Sequence, residues 1–115
     1  MKSFGQQIKE LREKEQWTQR RLANALDVDV AVLSRIENEN RFPKKRVGDI
    51  IRVVSNLFDT PESYLKLTYL SDEIASILET EEDYQEILKV TEAKVHYGRE
   101  KKSVQSKLNF ENESD

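Results

Sequence analysis

The sequence predicts an all-α fold, a five-helix bundle followed by a C-terminal helical extension. Three observations predict it. Apolar residues recur at spacings of three and four along most of the chain, the period of an amphipathic helix. The 115 residues include three glycines and two prolines, so long helices meet few breaks. No stretch of useful length alternates apolar and polar residues as a half-buried strand would. An apolar fraction of 37% with a charged fraction of 36% suits a small helical protein with a thin core.

The elements follow in order. Ser3 and Gln6 have the spacing of a capping box. Phe4, Ile8 and Leu11 then share one face of a first helix that should run to about Gln16. Thr18 is the N-cap candidate of a short second helix, with Leu22 and Leu26 inward and Ala23 between them. "DVD" at 27–29 interrupts it, and Asp29 can cap a third helix, "VAVLSRIENE", with Leu33 and Ile36 inward. "NENRFP" reads as a turn. Val47, Ile50, Ile51, Val54 and Phe58, at i, i+3, i+4, i+7 and i+11, make a strong helical pattern. Gly48 weakens it by about 1 kcal/mol relative to Ala. Thr60 and Pro61 open a fifth helix, as N-cap and first helical residue.

Beyond this point the apolar spacing changes. Leu70, Ile74, Ile77, Glu81, Tyr84, Leu88, Thr91 and Val95 alternate by four and three, a heptad seam that is imperfect at Glu81 and Thr91. Thr80-Glu81-Glu82-Asp83 also has the character of a fresh helix start. A break near Glu79–Glu81 is favoured over one long helix, because the cap signal and the polar seam residue coincide. In either case Leu70, Ile74, Ile77, Tyr84, Leu88 and Val95 want a covering surface. A dimer seam is the expectation, and packing back on the same domain is the alternative. Gly98 is placed to end the last helix. Residues 99–115 read as a polar, mobile tail carrying Leu108 and Phe110. The expected division is therefore 1–68, 69–98 and 99–115.

Composition excludes several functions. There is no cysteine, hence no disulfide framework and no thiolate metal site. The single histidine, His96, cannot build a metal site alone, and with Tyr97 it reads as a helix-end surface residue. No Ser-His-Asp set, glycine-rich phosphate loop or metal cluster is visible, so neither an enzyme nor a cofactor is expected. No apolar run approaches the roughly 18 residues of a membrane span, and no signal peptide is recognisable. A cytoplasmic, nucleoid-associated protein is expected. The formal net charge of −3 hides an asymmetry. Residues 1–58 hold 12 Lys/Arg against 8 Asp/Glu, while residues 59–98 hold 3 against 10. A basic front suggests anion binding there.

The second and third helices, joined by about three residues, form a helix-turn-helix arrangement. Its apolar skeleton is Leu22, Ala23, Leu26, Val28, Leu33 and Ile36. Ala23 lets the two helices approach, and Val28 plugs the turn into the core. With Gln19 and "SRIENENRFP", this skeleton resembles the Xre/lambdoid-repressor family of helix-turn-helix domains over residues 4 to about 68. The resemblance implies a lambda-repressor-like five-helix bundle that binds double-stranded DNA as a homodimer at a pseudo-palindromic operator.

The resemblance also assigns residues. Arg12 and Glu37 fall where the family places a buried ion pair between the first and third helices. Val30, Ala31, Ser34 and Arg35, with Asp29, fall on the base-reading face of the third helix. Gln19, at the start of the second helix, is expected at a phosphate, as are Asn38, Arg41, Lys44, Lys45 and Arg46, with Asn40, around the following turn. Arg35 is the best single base reader, since its fork matches guanine O6 and N7. Its alternative is a helical pair with Glu39, worth about 0.2–0.5 kcal/mol. Two family glycines are missing. Asp27 replaces the first, and Asn38 or Asn40 can take the left-handed residue in place of the second, near Glu39.

The expected function is that of a homodimeric transcriptional regulator, a repressor or a restriction–modification control protein. The alternative is an antitoxin-type interaction module whose C-terminal helices bind a partner protein. A structural adaptor that has lost DNA affinity is a third reading, disfavoured by the basic cluster.

Overall fold

The computed structural model describes the backbone of residues 1–113 and the side chains through Lys107. All regular structure among them is helical: α1 Phe4–Lys14, α2 Gln19–Leu26, α3 Val30–Glu39, α4 Val47–Phe58, α5 Glu62–Leu78 and α6 Tyr84–Glu113, with a 3₁₀ turn at Lys44–Arg46 before α4. The chain divides into two compact units, Met1–Ile77 and Leu78–Asp115. α5 continues through residue 68 without interruption. Leu108 and Phe110 lie outside the described side chains.

The core of the first unit is one cluster: Phe4, Ile8, Leu22, Ala23, Leu26, Leu33, Ile36, Val47, Ile50, Ile51, Val54 and Leu65. These are the inward positions of the helical periodicities. Each fully buried Leu, Ile or Phe contributes about 1.5–3 kcal/mol relative to exposure. Leu65 brings α5 into this core, and Phe4, Phe42 and Tyr69 stack edge-on or tilted beside it with ring centroids 5.1–5.8 Å apart. Trp17 closes another side against Phe58, with centroids 5.3 Å apart, while the Arg21 guanidinium covers its outer face at 3.7 Å.

The start of α1 is fully hydrogen-bonded. A helix leaves its first four N–H groups without intrahelical partners. Here Phe4 N donates to Asp72 Oδ2 at 2.7 Å and Gly5 N to Asn40 Oδ1 at 2.9 Å. Gln6 N donates to Ser3 Oγ at 3.2 Å and Gln7 N to Ser3 O at 2.9 Å. Ser3 N in turn donates to Gln6 Oε1, completing the capping box read from the sequence. Gly5 is required at this position. A Cβ there would lie 1.9 Å from Ile36 O, so α1 reaches α3 only because residue 5 has no side chain.

Four of the helices in the first unit end on a left-handed residue that is not glycine: Gln16, Asp27, Asn40 and Asp59. After α1 and α2 two hydrogen bonds close each end, Trp17 N to Arg12 O with Gln16 N to Glu13 O, then Val28 N to Ala23 O with Asp27 N to Asn24 O. Asp and Asn tolerate this conformation through local hydrogen bonding; the chain uses them where glycine is more usual.

Several expectations need correction. Thr60 does not cap α5: its hydroxyl donates back to Phe58 O at 3.2 Å, which helps finish α4. Asp29 occupies the cap position of α3 in extended geometry, but its side chain makes no capping bond. The break before the last helix is present, with α5 ending at Leu78 and α6 starting at Tyr84. Gly98, however, does not end that helix, and residues 99–113 belong to it rather than to a non-helical tail. A lone glycine costs about 1 kcal/mol, and the straight-chain residues Arg99, Glu100, Lys101, Lys102, Gln105 and Lys107 beyond it are good helix formers. His96 Nε2 also reaches Glu100 Oε1 at 3.1 Å, spanning Gly98 at helical spacing.

Candidate nucleic-acid interface

α2, the three residues Asp27-Val28-Asp29 and α3 form the helix-turn-helix. Leu22, Ala23, Leu26, Leu33 and Ile36 are each at most 1% exposed, and Val28 packs against them. This skeleton fixes which face of α3 is free. Val30, Ala31 and Arg35 are exposed and Ser34 is half-buried, and positions 30, 31, 34 and 35 lie on one side of a helix.

A buried ion pair fastens α3 to α1. Arg12 Nε donates to Glu37 Oε2 at 2.7 Å and Arg12 Nη2 to Glu37 Oε1 at 2.9 Å. Glu37 is 2% exposed. Arg12 Nη1 also donates to Trp17 O at 2.8 Å, tying the pair to the α1–α2 turn. The hydrogen bond to Glu37 raises the Arg12 guanidinium above its ordinary pKa, so it stays charged despite burial. Gln19 joins the same group, its Nε2 donating to Glu37 Oε1 at 3.0 Å. One of the two amide N–H groups of Gln19 is thereby engaged inside the protein, and the other has no partner among the described residues.

The Arg35 side chain lies along its own helix, Nε donating to Ala31 O at 3.4 Å. Among the described residues it forms no ion pair, with Glu39 or any other carboxylate. Its terminal nitrogens are therefore available for a planar acceptor pair. Asn38 Nδ2 donates to Ser34 Oγ at 3.1 Å, which orients the Ser34 hydroxyl and occupies part of Asn38. Arg35 and Arg41 border one shallow notch floored by Val32, Phe42 and Pro43.

The turn after α3 sorts the remaining candidates. Arg41 and Lys45 are exposed and make no side-chain hydrogen bond or ion pair among the described residues. Lys44 is exposed and reaches Glu73 Oε2 at 3.8 Å, a contact worth little at a surface. Arg46 behaves differently. Its Nη2 donates to Leu26 O at 2.7 Å, its Nη1 to Asp27 O at 3.3 Å, and its Nε lies 3.6 Å from Asp49 Oδ2. It closes the carbonyl end of α2, a favourable place for a cation, and those donors are not free for phosphate. Asn40 is also structural: besides accepting from Gly5 N it donates through Nδ2 to Asp72 Oδ2 at 3.2 Å.

Asp72, Gly5 and the bracing role of Arg46 were not legible in the sequence as parts of this site. Asp72 sits 32 residues from Asn40 and 68 from Phe4, and no local pattern announces such contacts. A glycine in the first turn of an otherwise good helix was the one available signal, since its cost requires a packing reason.

Of the expected dimer-seam residues, Leu70, Ile74 and Ile77 lie on α5 in the first unit, 53%, 45% and 71% exposed. Tyr84, Leu88 and Val95 lie on α6 in the second, 46%, 42% and 49% exposed. Among the described residues no group of three His, Cys, Asp or Glu is placed to hold a metal ion, and no helix is long and apolar enough to cross a membrane.

Neither a curated protein nor a solved structure matches the chain. A family model described as a helix-turn-helix domain does match, over residues 5–71. That span covers α2, α3 and the basic turn together with the helices that brace them. The chain belongs to the helix-turn-helix domain family, in line with the resemblance its sequence bears to DNA-binding members of that kind.

Proposed function

We infer that the protein is a sequence-specific transcriptional regulator that binds double-stranded DNA as a homodimer, with a lambda-repressor-like bundle as its reading head. The observation that carries this reading is the exposed face of α3, where Arg35, in no ion pair among the described residues, stands beside Val30, Ala31 and Ser34 on a helix held from behind by Arg12–Glu37. Each side chain has a matching chemistry in the major groove. Arg35 fits guanine O6 and N7, Ser34 donates or accepts at several base edges, and Val30 and Ala31 contact thymine methyl groups. Arg41, Lys44 and Lys45, with the remaining N–H of Gln19, hold the phosphates that set register. Asn38 supports Ser34, and Arg46 braces the turn. The reading assigns no catalytic chemistry, and it places the protein with DNA in the cytoplasm.

The exposed apolar residues of α5 and α6 are the proposed seam between subunits. A two-fold dimer presents two α3 helices about 34 Å apart, one turn of duplex. Repression and restriction–modification control both fit this arrangement. The test is selection of bound duplexes from a random-sequence pool. An enriched inverted repeat containing G next to T in each half, with centres about 10 base pairs apart, supports the reading. Enrichment of nothing, or of single unrepeated sites, contradicts it.

A second reading has one specific observation in its favour. Tyr84, Leu88 and Val95 are uncovered within their own unit, as the helix of an antitoxin-type partner binder would be. A stable complex with a different protein would support it.

A further inference from the structure

Within the second unit α6 has no other helix beside it among the described residues. Tyr84, Leu88 and Val95, with Thr91 between them, form a strip along it at alternating spacings of four, three and four. An isolated helix draws most of its stability from packing of such a strip, so this one requires a cover.

Charge says what the cover is. From Glu79 to Glu92 the chain carries six Asp/Glu and one Lys. From Ala93 to Lys107 it carries five Lys/Arg and one Glu. Glu79, Glu81, Glu82 and Asp83 lie in the segment just before α6 and Glu86 and Glu92 on its N-terminal part, so at 1.5 Å per helical residue the acidic start lies on the order of 20 Å from the middle of the basic group. That exceeds the Debye length of about 8 Å at physiological salt, so each half responds to its own neighbours.

Resting on the homodimer reading above, we propose that α6 pairs antiparallel with α6 of a second copy of this chain. Antiparallel pairing brings each chain's acidic lead-in and helix start toward the basic end of the other copy's helix, and two-fold symmetry makes the match twice. Parallel pairing sets acid beside acid and base beside base. One sequence supplies both complementary halves, as self-pairing requires; a partner of other sequence would have to match both. The strip from Tyr84 to Val95 forms the dry centre.

The chain has no cysteine, so introduced thiols report without background. Gln85→Cys and Glu92→Cys place thiols just after Tyr84 and Thr91, on one flank of the strip and on either side of its midpoint. Both variants are made in the full chain, and helical content by circular dichroism confirms folding. Mixing the two under mild oxidation should give the 85–92 disulfide as the main product, with little self-linking of Gln85→Cys. The unmodified dimer should also dissociate more readily in sedimentation equilibrium as salt rises from about 0.05 M to about 0.5 M. Self-linking of Gln85→Cys, or tighter dimers at high salt, would indicate parallel pairing and overturn the proposal. A folded protein that forms no cross-link, or that is monomeric, or that dimerises only through α5, overturns it as well. If such a protein still enriches an inverted repeat, the regulator reading stands and the α6 pairing alone fails.

Discussion

Arg12 and Glu37 meet face to face through two hydrogen bonds, 2.7 and 2.9 Å long, and this pair holds α3 against α1 while Gln19 adds a third bond to the same carboxylate. The residues that present α3 are thus tied together behind it. Removing one partner leaves the other charged in a buried site. Glu37→Ala should destabilise the fold by about 3–5 kcal/mol in urea unfolding. Replacing both residues with methionine should recover much of that loss, since a well-packed apolar pair avoids the desolvation cost. A small effect of Glu37→Ala would show that the pair does not hold the helix. The Arg12 pKa is raised by its bond to Glu37, and a raised cation loses its contribution only when pH climbs through the raised value. The arginine side of the pair should therefore cause no loss of stability from neutral to mildly alkaline pH.

Gly5→Ala adds one methyl group against the Ile36 carbonyl, with 1.9 Å between centres if nothing moves. Backbone on both sides has to shift, and the Gly5 N–H bond to Asn40 goes with it. Thermal or urea unfolding should show a loss of about 3 kcal/mol, the upper part of the range for overpacking. An unchanged midpoint would show that α1 can retreat freely from α3.

Arg46 and Lys45 are adjacent, and they should fail differently. Lys45 is exposed and is proposed to meet a phosphate, so Lys45→Ala should reduce the salt slope of binding to a random-sequence duplex by roughly 0.9. Arg46 has its donors on Leu26 O and Asp27 O, so Arg46→Ala should leave that slope nearly unchanged while lowering the unfolding midpoint. Equal loss of slope in both variants would return Arg46 to the phosphate set.

Much of this was readable from the chain. Phe4, Ile8, Leu22, Leu26, Leu33 and Ile36 are buried where helical periodicity put them, because that period is a property of local sequence. Ser3 and Thr18 cap their helices because capping is equally local. Local signals misled where a neighbour competed. Thr60 has the composition of an N-cap, but its hydroxyl finds the nearer carbonyl of Phe58. Gly98 resembles a stop signal, yet the residues after it favour helix strongly enough to continue through it. Arg46 was placed with Lys44 and Lys45 by the resemblance, and only the fold brings the end of α2 within its reach. Asp72 was invisible for the same reason, since its contacts with Phe4 and Asn40 are made by tertiary packing.

The central claim is that the free face of α3 reads base sequence, with Arg35 as the main polar reader. Its most direct test is the ratio of affinity for the selected duplex to affinity for random duplex, measured at one fixed salt concentration for the unmodified protein and for Arg35→Ala. Arg35 is exposed and contributes nothing to the core, so the variant should fold normally. The account predicts a fall in that ratio equivalent to about 1–3 kcal/mol, confined to the guanine position of each half-site. An Arg35→Ala protein that keeps the full ratio would contradict it.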